Sequence, residues 1–254
     1  MNDLFSLQGR TALVTGGSRG IGRMIAAGFL RAGARVYISA RKAEACDATA
    51  KELSALGPCV SLPADVSTVE GAHALVAAYL AREQTLDILV NNAGAAWGAP
   101  FDEFPEKGWD KVVDLNLKTP FFLTQALHEP LRRAAAARPA KVINIASIDG
   151  VSVNPQETYS YAASKAGLIH MTKRMALRLA EDNIVVSAIA PGAFASEMNR
   201  DARDHGDEIA RRIPAKRIGT EEDMAGAAIY LASRAGDYVL GSTLIVDGGV
   251  TYAR

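Results

Sequence analysis

The 254-residue chain carries no excess charge of either sign: Lys and Arg number 28, Asp and Glu 28, so the formal net charge is zero. That balance excludes a general electrostatic attraction to nucleic acid or to an anionic membrane surface. Cysteine is scarce. Cys46 and Cys59 form neither a CxxC pair nor a Cys/His cluster; they read as free thiols, and a cytoplasmic protein is expected. The four histidines, His73, His128, His170 and His205, lack ligand spacing, so no metal site is expected. No run reaches the roughly 18 consecutive apolar residues of a membrane-spanning helix. The opening MNDLFSLQGR has no cationic head followed by an apolar stretch, and no secretory leader is expected. What the chain does have is apolar mass. Hydrophobic residues make up 49% and charged residues 22%, which excludes intrinsic disorder and suffices for one large α/β core.

Short apolar runs alternate with helical patterns from end to end. Strands are predicted at 12–15, 35–39, 59–62, 86–90, 142–146, 185–189 and 244–246. Most are continuous β-branched runs, as expected of strands buried on both faces of a parallel sheet. In the first helical stretch Ile21, Ile25, Phe29 and Leu30 recur at helical spacing, and Gly33 sits where the helix would stop. The pattern predicts a doubly wound, seven-stranded parallel sheet with helices on both faces, in a single domain spanning 1–254. The Ala-rich stretch 134–139 reads as a helix end and its exit. Only 192–220 resists the alternation; polar and charged, it reads as a loop with short helices and as a substrate lid.

The first strand runs into Thr15-Gly16-Gly17-Ser18-Arg19-Gly20-Ile21-Gly22, and a helix follows. Gly16, Gly20 and Gly22 permit a tight turn and close approach of a pyrophosphate, to which the helix start offers N–H groups and a positive dipole end. The competing reading is a tight turn and nothing more. The second strand ends at Ser39-Ala40-Arg41, with no acidic residue to hold a ribose 2′-OH. Arg41 and Arg19 would instead suit the 2′-phosphate of NADP, unless they are two solvated surface arginines.

Tyr161 and Lys165 stand four residues apart, on one face of a predicted helix. Tyrosine has a pKa of about 10 in water, and a lysine one turn away would lower it toward the working range. Tyr159 has only Ala163 at the same offset. Ser147 adds weight to the pair, because it follows the strand at 142–146, where carboxyl-end loops carry ligands.

Together, TGGSRGIG at 15–22, Asp65-Val66, Asn91-Asn92-Ala93-Gly94, Asn116, Ser147, Tyr161/Lys165 and Pro191-Gly192 resemble the short-chain dehydrogenase/reductase family over essentially the whole chain. FSLQGRTALVTGGSRGIG and NNAGAAWGAP look most like bacterial 3-oxoacyl (acyl-carrier-protein) reductases, including the rhamnolipid-associated type. The resemblance implies a Rossmann-type fold, NADP(H) as cofactor, a ketone or acyl thioester as substrate, and a homotetramer. It implies Tyr161 as proton donor and Ser147 as the residue holding the carbonyl. Lys165 would lower the tyrosine pKa and bind the nicotinamide ribose, and Asn116 would anchor a water linking the lysine to solvent. Gly16, Ser18, Arg19, Gly20, Ile21, Gly22 and Arg41 would hold the phosphates. Asp65 and Val66 would contact the adenine, while Asn92, Ala93 and Gly94 would support the adenosine ribose and central sheet. Pro191, Gly192 and the backbone of Phe194 would face the nicotinamide. Ser196 stands where the family usually has Thr, and keeps the hydroxyl.

Asp149 departs from the family pattern, which has small or apolar residues two positions after the serine; it either binds a polar group of the substrate or points to solvent. Glu181-Asp182 sits where carrier-protein reductases tend to be basic, which opposes docking of an acidic carrier, with Arg138, Arg174 and Arg178 as partial compensation. Trp97 and Phe101 either wall an apolar substrate cleft or pack in the core. Met171 and Met175 are expected in the core or an interface. A sugar, polyol or steroid-like alcohol dehydrogenase is the competing enzyme reading. A non-catalytic NADP sensor is the reading from another class.

Overall fold

The β-branched runs form the strands β1 (Thr11–Thr15), β2 (Arg35–Ser39), β3 (Cys59–Ser61), β4 (Ile88–Asn91), β5 (Ala140–Ile145), β6 (Ile184–Pro191) and β7 (Thr243–Val246). They make one seven-stranded sheet in the order β3-β2-β1-β4-β5-β6-β7, every pairing parallel. The computed structural model describes residues 3–197 and 199–253. All six residues of β5 and all eight of β6 are buried, as in a sheet covered on both faces.

Helices α1 (Gly20–Arg31), α2 (Ala43–Leu53) and α3 (Val69–Leu80) connect the first four strands. Between β4 and β5 lie α4 (Glu106–Val113), α5 (Thr119–Ala126) and α6 (His128–Ala135). Then come α7 (Tyr159–Leu179), α8 (Arg200–Asp204), α9 (Gly206–Arg212) and α10 (Glu221–Ala232). Alternate strand residues feed opposite layers, because successive side chains point to opposite faces. Val14, Val36 and Ile38 pack with Ile25 and Phe29 of α1, Leu53 of α2 and Leu231 of α10. Leu13, Tyr37 and Val142 pack on the other side with Leu75 of α3, Leu131 of α6 and Met175 of α7. Helix starts are marked by local chemistry: Thr68 accepts the Gly71 N–H at 3.0 Å, and Thr220 and Asp223 form a reciprocal capping box.

The strand boundaries shift where pairing, not composition, sets them. Leu86 and Asp87 precede the β4 ladder; Leu86 is buried core, and the Asp87 carboxylate takes the Thr11 N–H at 2.9 Å. As expected, α1 ends before Gly33, which has φ +95°. The stretch 134–139 is the end of α6 and the exit into β5. Strand order reverses between β1 and β4, which opens a crevice at their carboxyl ends.

Candidate active site

The glycine turn is assembled from three sides. Gly16 adopts φ +65°, and a Cβ on Gly22 would stand 2.3 Å from the Gly16 carbonyl oxygen, so α1 closes directly onto the turn. Asn92 Nδ2 donates to the carbonyls of Thr15 (2.8 Å) and Gly16 (3.2 Å), and Thr15 Oγ1 accepts the N–H groups of Asn92 and Ala93, both at 3.0 Å. Thr49 Oγ1 donates to the Ser18 carbonyl at 2.9 Å. Among the described residues no side chain caps α1, whose N-cap residue is Arg19. Its first turn is therefore left for an anion, with Ile21 just inside it. Ser196 stands over this helix start: a Cβ on Gly20 would lie 3.1 Å from the serine Cβ. Arg19 and Arg41 are exposed, and neither has a carboxylate partner among the described residues. This cradle fits a dinucleotide phosphate. Asp65 is exposed and accepts the Ser67 N–H; Val66 is buried, its carbonyl accepting from Thr119 Oγ1 at 2.6 Å.

The second half of the site forms where β4, β5 and α7 meet. Between α4 and α5 the helix widens to a π turn over Asp114–Lys118, a feature that often marks functional positions. Asn116 sits in that turn, 1% exposed, with both ends of its amide engaged. Nδ2 donates to the Ala95 carbonyl (2.9 Å) and to Ser164 Oγ (3.1 Å), while Oδ1 accepts the Ala95 N–H (2.8 Å). Ser164 Oγ in turn donates to the Tyr161 carbonyl at 2.8 Å. Asn116 is thus tied to the extension of the Asn91–Gly94 turn and to α7 at once.

Ser147 follows β5 and opens a short 3-10 turn, Ile148–Gly150, its Oγ accepting the Asp149 N–H at 3.1 Å. Burial pushes the half-buried Tyr161 phenol up to about 12; Ser147 works against that shift, and the negative charge of Asp149 adds to it. Burial also brings Lys165 down to about 8. Its Nζ donates to the Ile145 carbonyl at 2.7 Å and lies 5.6 Å from the Tyr161 ring centroid. Here the structure differs from the sequence expectation: the ammonium is turned to a strand-end carbonyl, and the phenol stands above its ordinary value. Tyr159 is at the surface, its hydroxyl donating to Glu157 Oε1 at 3.2 Å.

At the far edge, Pro191 pairs with Val246, and Gly192 lies against Asp247. Phe194 pairs with Gly219 in an isolated bridge and buries its ring where a Cβ on Gly219 would be 2.3 Å away. The stretch 192–220 is therefore pinned at its two ends, with α8 and α9 between them; Met198 lies outside the described residues. Met175 is in the core and Met171 packs against it. Phe101 is 72% exposed, whereas Trp97 lies against Gly108 with Lys111 over its ring at 5.3 Å. Two of the compensating arginines are already engaged, Arg178 with Asp182 (2.9 Å) and Arg138 with Asp87 (3.4 Å). No group of metal-ligating side chains occurs among the described residues, and no helix there is long and apolar enough to cross a membrane.

Sequence reasoning missed two residues that build the site. Ser164 lay in plain view inside the Tyr161–Lys165 interval. Gly150 carried no signal beyond its place in a turn, yet a Cβ there would meet the Lys165 backbone.

A dinucleotide crevice ending at a phenol, an ammonium and a serine hydroxyl is the arrangement of a nicotinamide-dependent oxidoreductase acting on a carbon–oxygen bond. Residues 16–251 match the family described as Enoyl-(Acyl carrier protein) reductase. The chain is 48% identical to the rhamnolipids biosynthesis 3-oxoacyl-[acyl-carrier-protein] reductase of Pseudomonas aeruginosa, over 98% of this chain and 99% of that protein. It is 38% identical to gluconate 5-dehydrogenase of Gluconobacter oxydans, over 98% and 97%. Among solved structures, the Pseudomonas aeruginosa RhlG/NADP active-site complex has a TM-score of 0.95 at 48% identity, covering 99% of this chain and 100% of that one. A Burkholderia cenocepacia gluconate 5-dehydrogenase in complex with NADP and tartrate has a TM-score of 0.90 at 36% identity, covering 100% and 99%. The chain belongs to the short-chain dehydrogenase/reductase family.

Proposed function

We propose that the protein is an NADPH-dependent reductase of 3-oxoacyl compounds, with Tyr161 as the proton donor. The observation that carries this reading is the full-length likeness to the Pseudomonas reductase, combined with the Ser147–Tyr161–Lys165 cluster at the end of the nucleotide crevice. Gly16, Ser18, Gly20, Ile21, Gly22 and Ser196 hold the pyrophosphate, and Arg19 and Arg41 take the 2′-phosphate. Asp65 and Val66 lie at the adenine, Asn92, Ala93 and Gly94 at the adenosine ribose, and Pro191, Gly192 and Phe194 at the nicotinamide. When bound, the nicotinamide supplies the hydride.

The protein orients the ketone and manages the proton. Ser147 donates to the substrate oxygen and holds it beside the phenol. Burial keeps Tyr161 protonated at neutral pH in the ligand-free protein, so the phenol holds the proton that reduction requires. Lys165 stands one turn away as the next proton carrier. Asn116, locked on both sides of its amide, sets the π turn in which a water would connect the lysine to solvent. The stretch 192–220 serves as the substrate lid, hinged at the Phe194–Gly219 bridge. The free, buried or half-buried thiols Cys46 and Cys59 suit a cytoplasmic setting. By the family's habit the assembly is a homotetramer, testable by sedimentation.

The gluconate enzymes among the relatives make a polyhydroxy acid the competing substrate. Following NADPH consumption with an acetoacetyl thioester, a carrier-linked 3-oxoacyl chain and 5-ketogluconate decides between them. Turnover of the thioester is expected to exceed that of the sugar acid. Turnover of the sugar acid alone would overturn the reading, and inertness towards all ketones would leave an NADP-binding regulator.

A further inference from the structure

One charged group beside the reacting centre has no structural employment. Asp149 lies on the Ile148–Gly150 turn, and its own N–H is bound to Ser147 Oγ at 3.1 Å. The turn is held in place, because Gly150 is seated against the Lys165 backbone on α7. The Asp149 carboxylate is half-buried and has no hydrogen-bond or ion-pair partner among the described residues. The Lys165 ammonium donates to the Ile145 carbonyl. The negative charge reaches the phenol, where it adds to the upward shift that burial imposes on Tyr161.

We infer that Asp149 is a charge filter: it turns away ketones that carry a carboxylate next to the reacting carbonyl and admits neutral thioesters and esters. The inference rests on the 3-oxo reductase reading. A ketone oxygen bound between Ser147 and Tyr161 places its neighbouring carbons beside the Ile148–Gly150 turn. In a free 3-oxo acid the carboxylate is two carbons from the ketone, so it meets a like charge in a partly desolvated place, where repulsion is strong. In a thioester that position is uncharged. Selection against the free acid then comes from a built-in repulsion, with no attractive contact to the thioester required.

The test compares acetoacetate with ethyl acetoacetate in wild type and in Asp149→Asn, with Asp149→Ala as a second variant. Because both substrates use the same proton donor, any change in Tyr161 acidity cancels in the ratio of their kcat/KM values. Wild type is expected to favour the ester, and Asp149→Asn to reduce that preference on the order of tenfold or more, chiefly by improving KM for the acid. Added salt should raise turnover of the acid and not of the ester in wild type. Retained NADPH binding shows that the variants are folded. If wild type reduces both substrates and neither variant moves the ratio beyond about twofold, the filter is wrong and the 3-oxo reading stands. If wild type reduces neither substrate while it turns over the acetoacetyl thioester, the filter is wrong and the 3-oxo reading stands; if it reduces none of the three, both fall.

Discussion

A Cβ on Gly150 would stand 2.6 Å from the carbonyl carbon of Lys165, so the turn after Ser147 rests directly on α7. That contact holds the turn that begins at Ser147 against the helix that carries Tyr161. Gly150→Ala must push the turn and α7 apart. We expect kcat/KM for the ketone to fall at least about tenfold, because small misplacements of reacting groups are costly. The dissociation constant for NADPH should stay within about threefold. Calorimetric binding and steady-state kinetics on one preparation check both; equal loss of cofactor binding would show that the contact is structural only.

Tyr161→Phe removes the hydroxyl proposed to give the proton. Turnover should fall by at least about a hundredfold, the usual scale of general acid catalysis, with NADPH binding nearly intact. Tyr159→Phe breaks only a surface hydrogen bond to Glu157 and should leave kcat almost unchanged. Comparable damage from the two changes would overturn the assignment.

Lys165 makes stability rise with pH in the ligand-free protein. Its folded pKa of about 8 lies below the unfolded value of 10.5, so between these the unfolded chain binds more protons. Unfolding free energy should therefore increase from about pH 8 toward pH 10, by on the order of 2–3 kcal/mol. Lys165→Met should flatten that rise. Urea midpoints across the window measure it, and an equal rise in the variant would sink the claim. Above about pH 10 the sign reverses, because Tyr161 keeps in the fold a proton that the unfolded chain loses.

On the proposed reading, cofactor choice turns on the tip of β2. Arg19 and Arg41 are exposed and unpaired among the described residues, and Ala40 offers no carboxylate. Charge-assisted contacts to phosphate, discounted for exposure, should favour NADPH over NADH on the order of thirty- to a hundredfold. Ala40→Asp combined with Arg41→Ile should reverse the preference. Fluorescence titration of both cofactors decides it; equal affinities in wild type would make the arginines ordinary surface residues.

The stretch 192–220 should exchange its amide hydrogens fast without ligand, more slowly with NADPH, and slowest with substrate added. Protection should begin at Phe194 and Gly219, where the ends are bridged. Uniform protection in the free protein would count against a lid.

What the sequence by itself determined is everything that depends on near neighbours. The turn at Gly16–Gly22 and the helix behind it follow from three glycines and the apolar spacing of Ile21, Ile25 and Phe29. The shared face of Tyr161 and Lys165 follows from helical geometry alone. The β-branched runs announced buried parallel strands because both of their faces are apolar. Tertiary structure alone decided relations between residues distant in the chain. Asn116 reaches Ser164 across 48 positions, and Lys165 reaches the Ile145 carbonyl across 20. No local spacing encodes where that ammonium turns or how deeply the phenol is buried, so helical spacing alone does not give the direction of the Tyr161 shift. Gly150 owes its importance to α7 lying over it, and Asp149 its unpaired charge to the neighbouring elements, which bring it no partner among the described residues. Burial sets both pKa values, and burial is a property of the packed molecule, not of the residues that are packed.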